Sequence, residues 1–182
     1  MLPVSALMLF ILTACGDGGG EVEAPENEEP SEEDSVTVTL INNDEEEVAT
    51  AELTEDETGV NIALTGENLS PGEHGFHIHN AGACEAPDFD SAGEHYNPTD
   101  ANHGFDDPDG PHAGDLENIE VNEDGTVSAE VTADMVTLEK DADNTLFTEE
   151  GTSLVIHSEG DDYSTQPSGD AGDPVACGVI SE

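Results

Sequence analysis

Three of the seven histidines of this chain lie within six positions, in the segment HGFHIH at residues 74–79. Successive side chains of an extended chain point to opposite faces, so Phe76 and Ile78 share one face. His77 and His79 share the other face, where two neighbouring imidazoles can hold one metal ion. The alternative is a surface strand with a polar face, and this segment by itself does not distinguish the two.

Further candidate ligands follow in a long segment, residues 80–115, that is rich in Gly, Pro and Asp and has no strand pattern. A loop of this length in a compact domain is usually functional or disordered, so something should hold it in place. Imidazoles with one carboxylate suit zinc, copper or iron. Calcium is a poorer match, because DDPDG at 106–110 lacks the full spacing of a calcium loop. The candidates in this segment are His95, His103, His112 and Asp115. One more candidate, His157, ends a predicted strand later in the chain.

The charge of the chain excludes some classes of partner. The 182 residues include 45 acids and one basic residue, Lys140, for a net charge of −44. No basic patch can form, so the protein does not bind nucleic acid. Self-repulsion of this size destabilises a compact chain, and salt near 1 M shortens the screening length to about 3 Å. We therefore predict a halophilic protein, whose free energy of unfolding should be higher in molar than in dilute salt.

The N-terminal segment predicts export. Residues 1–14 are uncharged and mostly apolar, as in a signal peptide, and LTAC at 12–15 fits a lipoprotein signal with Cys15 as the lipidated residue. The alternative is a cysteine that follows a signal peptide by chance. Residues 15–35 are acidic and predict a disordered tether to a membrane anchor. The predicted protein is a cell-envelope lipoprotein, on the extracellular face or in the periplasm, with its folded domain at 36–182.

From residue 36 onward, apolar and polar residues alternate with the period of a β-strand. Many short strands separated by Gly- and Asp-rich turns predict an all-β antiparallel sandwich or barrel. NEDG at 122–125 predicts a hairpin turn, and only the residues around 133–138 show a trace of helical periodicity. A second long loop is predicted at 158–176. The predicted strands are 36–41, 47–53, 60–64, the two strands on either side of the turn within 119–131, 152–157 and 176–180.

The cysteines leave one even pair. With Cys15 assigned to the lipid, Cys84 and Cys177 remain in an exported chain, where disulfides persist. A disulfide between them would close a loop of about 94 residues and stabilise the fold by about 4–5 kcal/mol. The alternatives are two free thiols or two soft metal ligands.

Residues 36–182 resemble the copper/zinc superoxide dismutases of bacteria, in their secreted or lipid-anchored form. The resemblance rests on several segments in order: HGFHIH, AGACEAPDFDSAGEHYNP, HGFDDPDGPHAGDL, LVIHSEGDDYSTQPSG and ACGVI. It implies an eight-stranded Greek-key β-barrel, related to the immunoglobulin sandwich, with long metal-binding and electrostatic loops. It also implies conversion of superoxide to oxygen and hydrogen peroxide, in a monomer or a homodimer.

The resemblance also implies a role for each candidate residue. His95 would bridge the two metals and pass a proton, Asp161 would link a copper ligand to a zinc ligand, and His74 would be structural. Cys84 and Cys177 would form the disulfide of the family. The implied copper ligands, which are also the catalytic residues, are His77, His79, His95 and His157. The implied zinc ligands are His95, His103, His112 and Asp115.

One position departs from the pattern of the family. The segment GDAGDPVACG has Pro174 where the family carries the arginine that attracts superoxide to copper. This predicts a dismutase of reduced efficiency, and the alternative is a non-catalytic copper/zinc-binding module of the cell envelope. A purely structural barrel would leave the histidine spacing unexplained.

Overall fold

The computed structural model describes residues 35–182, which form nine short strands and one 3-10 turn. The predicted signal peptide and lipidated Cys15, and all but the last residue of the predicted tether, lie outside the described residues. Within residues 35–182, no helix has the length and apolar character needed to cross a membrane. The elements are β1 (Ser35–Asn42), β2 (Glu47–Asp56), β3 (Gly59–Gly66), β4 (Gly72–His74), β5 (Phe76–His79), the 3-10 turn (Asp90–Ala92), β6 (Ile119–Val121), β7 (Val127–Ala133), β8 (Thr152–His157) and β9 (Pro174–Ile180).

Alternation along the strands builds the core. In β3, Val60, Ile62 and Leu64 are at most 1 % exposed, while the residues between them are partly or fully exposed. Inward side chains of β1, β2 and β5 to β9 belong to the same apolar cluster. Full burial of one such side chain contributes about 1.5–3 kcal/mol. The period-two pattern of the sequence therefore identifies the face of each strand that is buried.

The strands form a curled antiparallel sheet in the order β5-β8-β9-β1-β2-β3-β7, and a second sheet pairs β4 with β6. Only Gly75 separates β4 from β5, so the two read as one strand and give the eight strands predicted for the barrel. Because β6 also contacts β7, the small sheet closes the large one. The predicted all-β Greek-key barrel is confirmed.

Two local predictions have different outcomes. The NEDG segment forms the predicted hairpin turn between β6 and β7, in which the Gly125 N–H donates to the Asn122 carbonyl at 2.9 Å. The trace of helical periodicity around 133–138 does not produce a helix. There, the Thr137 hydroxyl and the Leu138 N–H bond to the Glu55 carboxylate, which holds this segment against β2.

The two predicted long loops leave the barrel at 80–118 and 158–173, beside a third at 134–151, and one covalent bond ties the first predicted loop down. Cys84 and Cys177 form the predicted disulfide, with their Cα atoms 5.6 Å apart and a sequence separation of 93. It joins the first loop to β9. The second loop ends earlier than predicted, because β9 already begins at Pro174.

Candidate metal centre

Strand β5 places two histidines on the face that is turned away from the core. Phe76 and Ile78 belong to the apolar core, so the alternating rings of His77 and His79 lie on the opposite face. In the ladder with β8, His77 pairs with Val155 and His79 pairs with Ser153. Directly paired residues share a face, so His157, two positions beyond Val155, ends β8 on the side of these rings.

The first long loop returns to the same strand and brings the remaining ligand candidates. The Tyr96 N–H donates to the Ile78 carbonyl, and the Ile78 N–H donates to the Gly114 carbonyl, both at 2.8 Å. Two residues of this loop pair with β5 through their backbones in the antiparallel sense: His95 with His79, and Asp115 with His77. Gly114 is required for this approach, because a Cβ atom there would lie 2.2 Å from the Ile78 carbonyl oxygen. The loop is thus fixed by backbone pairing as well as by the disulfide.

Six histidines and one aspartate form two clusters that share one residue. Within each cluster, one donor atom of every member lies within 4.8 Å of those of the others. Among residues 35–182, no third group of three or more such donors is found, so the DDPDG segment forms no such cluster. The four-histidine cluster comprises His77, His79, His95 and His157. The three-histidine–aspartate cluster comprises His95, His103, His112 and Asp115.

Several ring nitrogens of these clusters have no protein partner. The Nδ1 of His77, the Nε2 of His95 and the Nδ1 of His103 are fully buried and make no hydrogen bond. The Nε2 atoms of His79 and His157 face each other at 3.3 Å. Buried polar atoms are normally hydrogen-bonded, and a cation between these nitrogens would satisfy them. The residues therefore fit bound metal ions.

Two rings of the four-histidine cluster are held at their opposite edge by a backbone oxygen. His79 Nδ1 and His157 Nδ1 donate to the carbonyls of Gly93 and Gly172, each at 2.9 Å. A ring N–H held in this way fixes the tautomer and leaves the other nitrogen free to ligate. Neither carbonyl could be found from the sequence, since every residue carries one.

Asp161 connects the two clusters. Its Oδ2 lies 2.8 Å from His77 Nε2, and its Oδ1 lies 3.0 Å from His103 Nε2. The Asn118 side chain holds the aspartate backbone, accepting from the Asp161 N–H and donating to its carbonyl, both at 2.9 Å. A Cβ atom on Gly169 would lie 1.8 Å from Asp161 Oδ1, so only glycine fits there. Sequence reasoning missed Asn118, because a single amide shows no pattern.

Burial controls the ionisation of the four-histidine cluster. Removal from water disfavours the charged ring and lowers the pKa of His77 to about 3, of His79 to about 2 and of His157 to about 4. These rings are therefore neutral at ordinary pH. Neutral imidazole is the form that binds a metal ion.

The three-histidine–aspartate cluster carries opposite charges. Burial lowers the pKa of His103, but the Asp115 carboxylate, 3.1 Å from its Nδ1, and the hydrogen bond to Asp161 raise it to about 9. Burial raises the pKa of Asp115, but the neighbouring rings of His103, His112 and His95 outweigh burial and hold that pKa well below its usual range. The same balance lowers the pKa of Asp161.

His74 belongs to neither cluster. It is 2 % exposed, and its two ring nitrogens lie 2.6 Å and 2.7 Å from the backbone oxygens of His157 and Ser70. The ring thus joins β4 to the end of β8. Its contacts are those of a structural histidine.

A cavity of about 540 Å³ opens beside the clusters. Four ligand candidates line it, namely His79, His95, His112 and His157. The charged side chains in its wall, Glu94 and Asp100, are both acidic, and no described lysine or arginine lines it. The cavity therefore repels anions at its mouth.

Comparisons with known proteins agree with this geometry. Residues 47–180 match the family model of copper/zinc superoxide dismutase (SODC). The chain is 46 % identical over 142 residues to superoxide dismutase (Cu-Zn) 1 of Aquifex aeolicus, across 78 % of this chain and 84 % of the relative. It is 38 % identical over 185 residues to superoxide dismutase-like protein YojM of Bacillus subtilis, across 96 % and 94 %. The crystal structure of a SOD-like protein from Bacillus subtilis matches with a TM-score of 0.77 at 39 % identity, across 80 % of this chain and 97 % of that one.

Proposed function

Since this chain belongs to the copper/zinc superoxide dismutase family, we propose that it converts superoxide to oxygen and hydrogen peroxide. The observation that carries this proposal is the pair of buried clusters that share His95. One chain thereby offers six imidazoles and one carboxylate to two adjacent cations. A barrel with only a structural role would have no need of three buried, unpaired ring nitrogens.

We assign copper to the four-histidine cluster and zinc to the three-histidine–aspartate cluster. A set of imidazoles alone suits copper, whereas three imidazoles with one carboxylate form a common tetrahedral zinc set. Bound copper would supply the one-electron chemistry, accepting an electron from one superoxide and returning it to a second.

His95 supplies one of the two protons that hydrogen peroxide requires in this proposal. Its Nδ1 is held by Asp115 Oδ1 at 2.8 Å, which fixes the plane of the ring. Its Nε2 is buried and unpaired, and the residue lines the cavity that substrate would enter. A proton held at Nε2 can pass to the superoxide that is being reduced, and solvent supplies the second proton that hydrogen peroxide requires. The neutral rings of His77, His79 and His157 have lowered pKa values and are poor proton carriers.

We propose that the rate is lower than in arginine-bearing relatives. The sequence contains no arginine, and Pro174 stands at the position where the family pattern has one. The acidic wall of the cavity and the net charge of −44 both repel superoxide. Electrostatic steering changes association rates by about 10- to 10³-fold, but salt screens it. The loss should therefore be large in dilute buffer and smaller in molar salt.

Pro174→Arg tests the electrostatic part of this proposal. We expect kcat/KM for superoxide to rise by about 10-fold at low ionic strength, because one cation is restored beside the copper cluster. The gain should shrink as salt is added. The measurement is pulse radiolysis or stopped flow on metal-loaded protein across a salt series. Pro174→Gln is the matched control, since it has similar length and no charge, and an equal gain in this variant would contradict the electrostatic explanation.

The second candidate function is a binding module that holds copper and zinc without turnover. It is favoured by the acidic cavity wall and by the relative from Bacillus subtilis, whose name is superoxide dismutase-like. Metal analysis followed by an activity assay separates the two. One copper and one zinc per chain with turnover supports the dismutase. The same metals with activity no higher than that of aqueous copper support the module.

We also propose that the protein is exported and anchored through Cys15. The disulfide between Cys84 and Cys177 supports an oxidising compartment, whereas Cys15 lies outside the described residues. We expect Cys15→Ser to move the protein from the membrane fraction to the soluble fraction of expressing cells. Retention of the variant in the membrane fraction would contradict lipid anchoring.

A further inference from the structure

The side-chain amide of Gln166 pairs with the backbone of a predicted zinc ligand. The His103 N–H donates to Gln166 Oε1 at 2.9 Å, and Gln166 Nε2 donates to the His103 carbonyl, also at 2.9 Å. His103 is 0 % exposed. No other described hydrogen bond reaches its backbone N–H or carbonyl. One side chain therefore satisfies both buried backbone groups of this histidine.

The His103 ring depends on this backbone position. Its Nε2 lies 3.0 Å from Asp161 Oδ1, and its unpaired Nδ1 lies 3.1 Å from Asp115 Oδ2 without hydrogen-bond geometry. Asp161 can orient the ring but does not fix the peptide that carries it. A shift of that peptide would move Nδ1 away from the other donors of its cluster.

Gln166 also lies beside the copper-side cavity. It belongs to the loop at 158–173, which carries Asp161, and the two residues that follow it, Pro167 and Ser168, line the cavity with His157. The same side chain thus contacts a zinc-side residue, while its own backbone continues into the wall of the copper-side cavity. A displacement of the His103 backbone would therefore displace Gln166 and, through it, the cavity-lining residues Pro167 and Ser168.

We propose that Gln166 is a positioning residue that couples zinc occupancy at His103 to the order of residues 162–169 beside the copper-side cavity. This inference rests on the proposed assignment of zinc to the three-histidine–aspartate cluster. Zinc fixes His103, the two amide bonds fix Gln166, and Gln166 fixes the segment that contains Pro167 and Ser168.

A neutral amide suits this position in so acidic a chain. Gln166 Nε2 lies 3.5 Å from Asp107 Oδ2, so a carboxylate at residue 166 would meet a like charge. It would also lose the donor to the His103 carbonyl. Direct hydrogen bonds of a neutral amide carry no net charge to be screened, so the coupling should persist in molar salt.

Gln166→Ala tests the coupling in the full chain. We expect the zinc affinity of the copper-free protein to fall by about 10- to 100-fold, as is typical when a partner of a metal ligand is lost. Competition with a chromogenic chelator measures it. In the wild type, zinc should slow amide hydrogen exchange at 162–169, and in the variant this protection should be lost. Gln166→Glu, which keeps only the acceptor, should also weaken zinc binding.

Ser164→Ala is the matched control. Ser164 lies in the same loop, its hydroxyl bonds only to Asp162 at 3.3 Å, and it makes no side-chain contact with His103. Its zinc affinity and zinc-dependent exchange should equal those of the wild type. A wild type that takes up no zinc would overturn the proposed metal assignment. A wild type that binds zinc, with Gln166→Ala binding it equally, would overturn the coupling alone. A variant that only destabilises the zinc-free chain, with unchanged zinc affinity in its folded form, also overturns it.

Discussion

His95→Ala is expected to lower the rate of superoxide dismutation by about 10²- to 10⁴-fold, the usual contribution of a positioned proton donor. Each cluster keeps three of its four donors in this variant, so both metals can still bind. What is lost is the shared ring with its buried, unpaired Nε2, in a residue that lines the cavity. The measurement is the dismutation rate per bound copper, with the Cu(II) absorption and EPR spectra recorded on the same samples.

His74→Gln is the matched control for this experiment. It removes another buried histidine, but one whose ring nitrogens face backbone oxygens and belong to neither cluster. We expect it to keep one copper and one zinc per chain. If His95→Ala retained the wild-type rate per copper, a proton donor other than His95 would be required, and the proposed role of this residue would be wrong.

Removing the disulfide by the double substitution Cys84→Ser and Cys177→Ser is expected to lower the free energy of unfolding by about 4–5 kcal/mol. The sequence separation of 93 makes the loop that the bond closes long, and the entropy lost by the unfolded chain grows with that length. Cys177 is fully buried and packs with Phe89 and Val155, so its exchange for serine adds a polar group to an apolar cluster. Urea unfolding of the zinc- and copper-free protein measures the change.

The same substitution should weaken copper binding. The disulfide anchors the loop whose Gly93 carbonyl holds the His79 ring at 2.9 Å.

Ser91→Ala is the control for the stability measurement. It removes the hydrogen bonds of Ser91 Oγ to the Glu85 N–H and the Ala83 carbonyl in the same loop but leaves the crosslink. We expect it to cost about 1 kcal/mol. If the two variants lost equal stability, the crosslink would have no special role.

Local patterns predicted much of this protein. The alternation that places Val60, Ile62 and Leu64 inside the barrel has a period of two residues, so it can be recognised without any distant contact. The hairpin turn at 122–125 depends on four neighbouring residues. The candidate ligand residues can also be recognised in the sequence, because the chain has only seven histidines and three of them lie within six positions. The resemblance to a known family then gave each of these residues an expected partner.

The tertiary structure decided which backbone oxygens and side-chain amides hold the candidate ligands. The Gly93 and Gly172 carbonyls that orient His79 and His157 have no sequence signal. Asn118 and Gln166 are single amides in loops, and they meet their partners across 43 and 63 residues of chain.

The physical reason is the range of the interactions. Strand periodicity, turns and residue type are properties of a few consecutive residues, so the sequence by itself determined the antiparallel all-β class, the pair of cysteines and the candidate ligands. A hydrogen bond to a buried backbone group depends on where two distant loops pack. Only the folded chain determines that the Gln166 amide meets both backbone groups of His103, and that the His95 Nε2 is left without a partner beside the cavity.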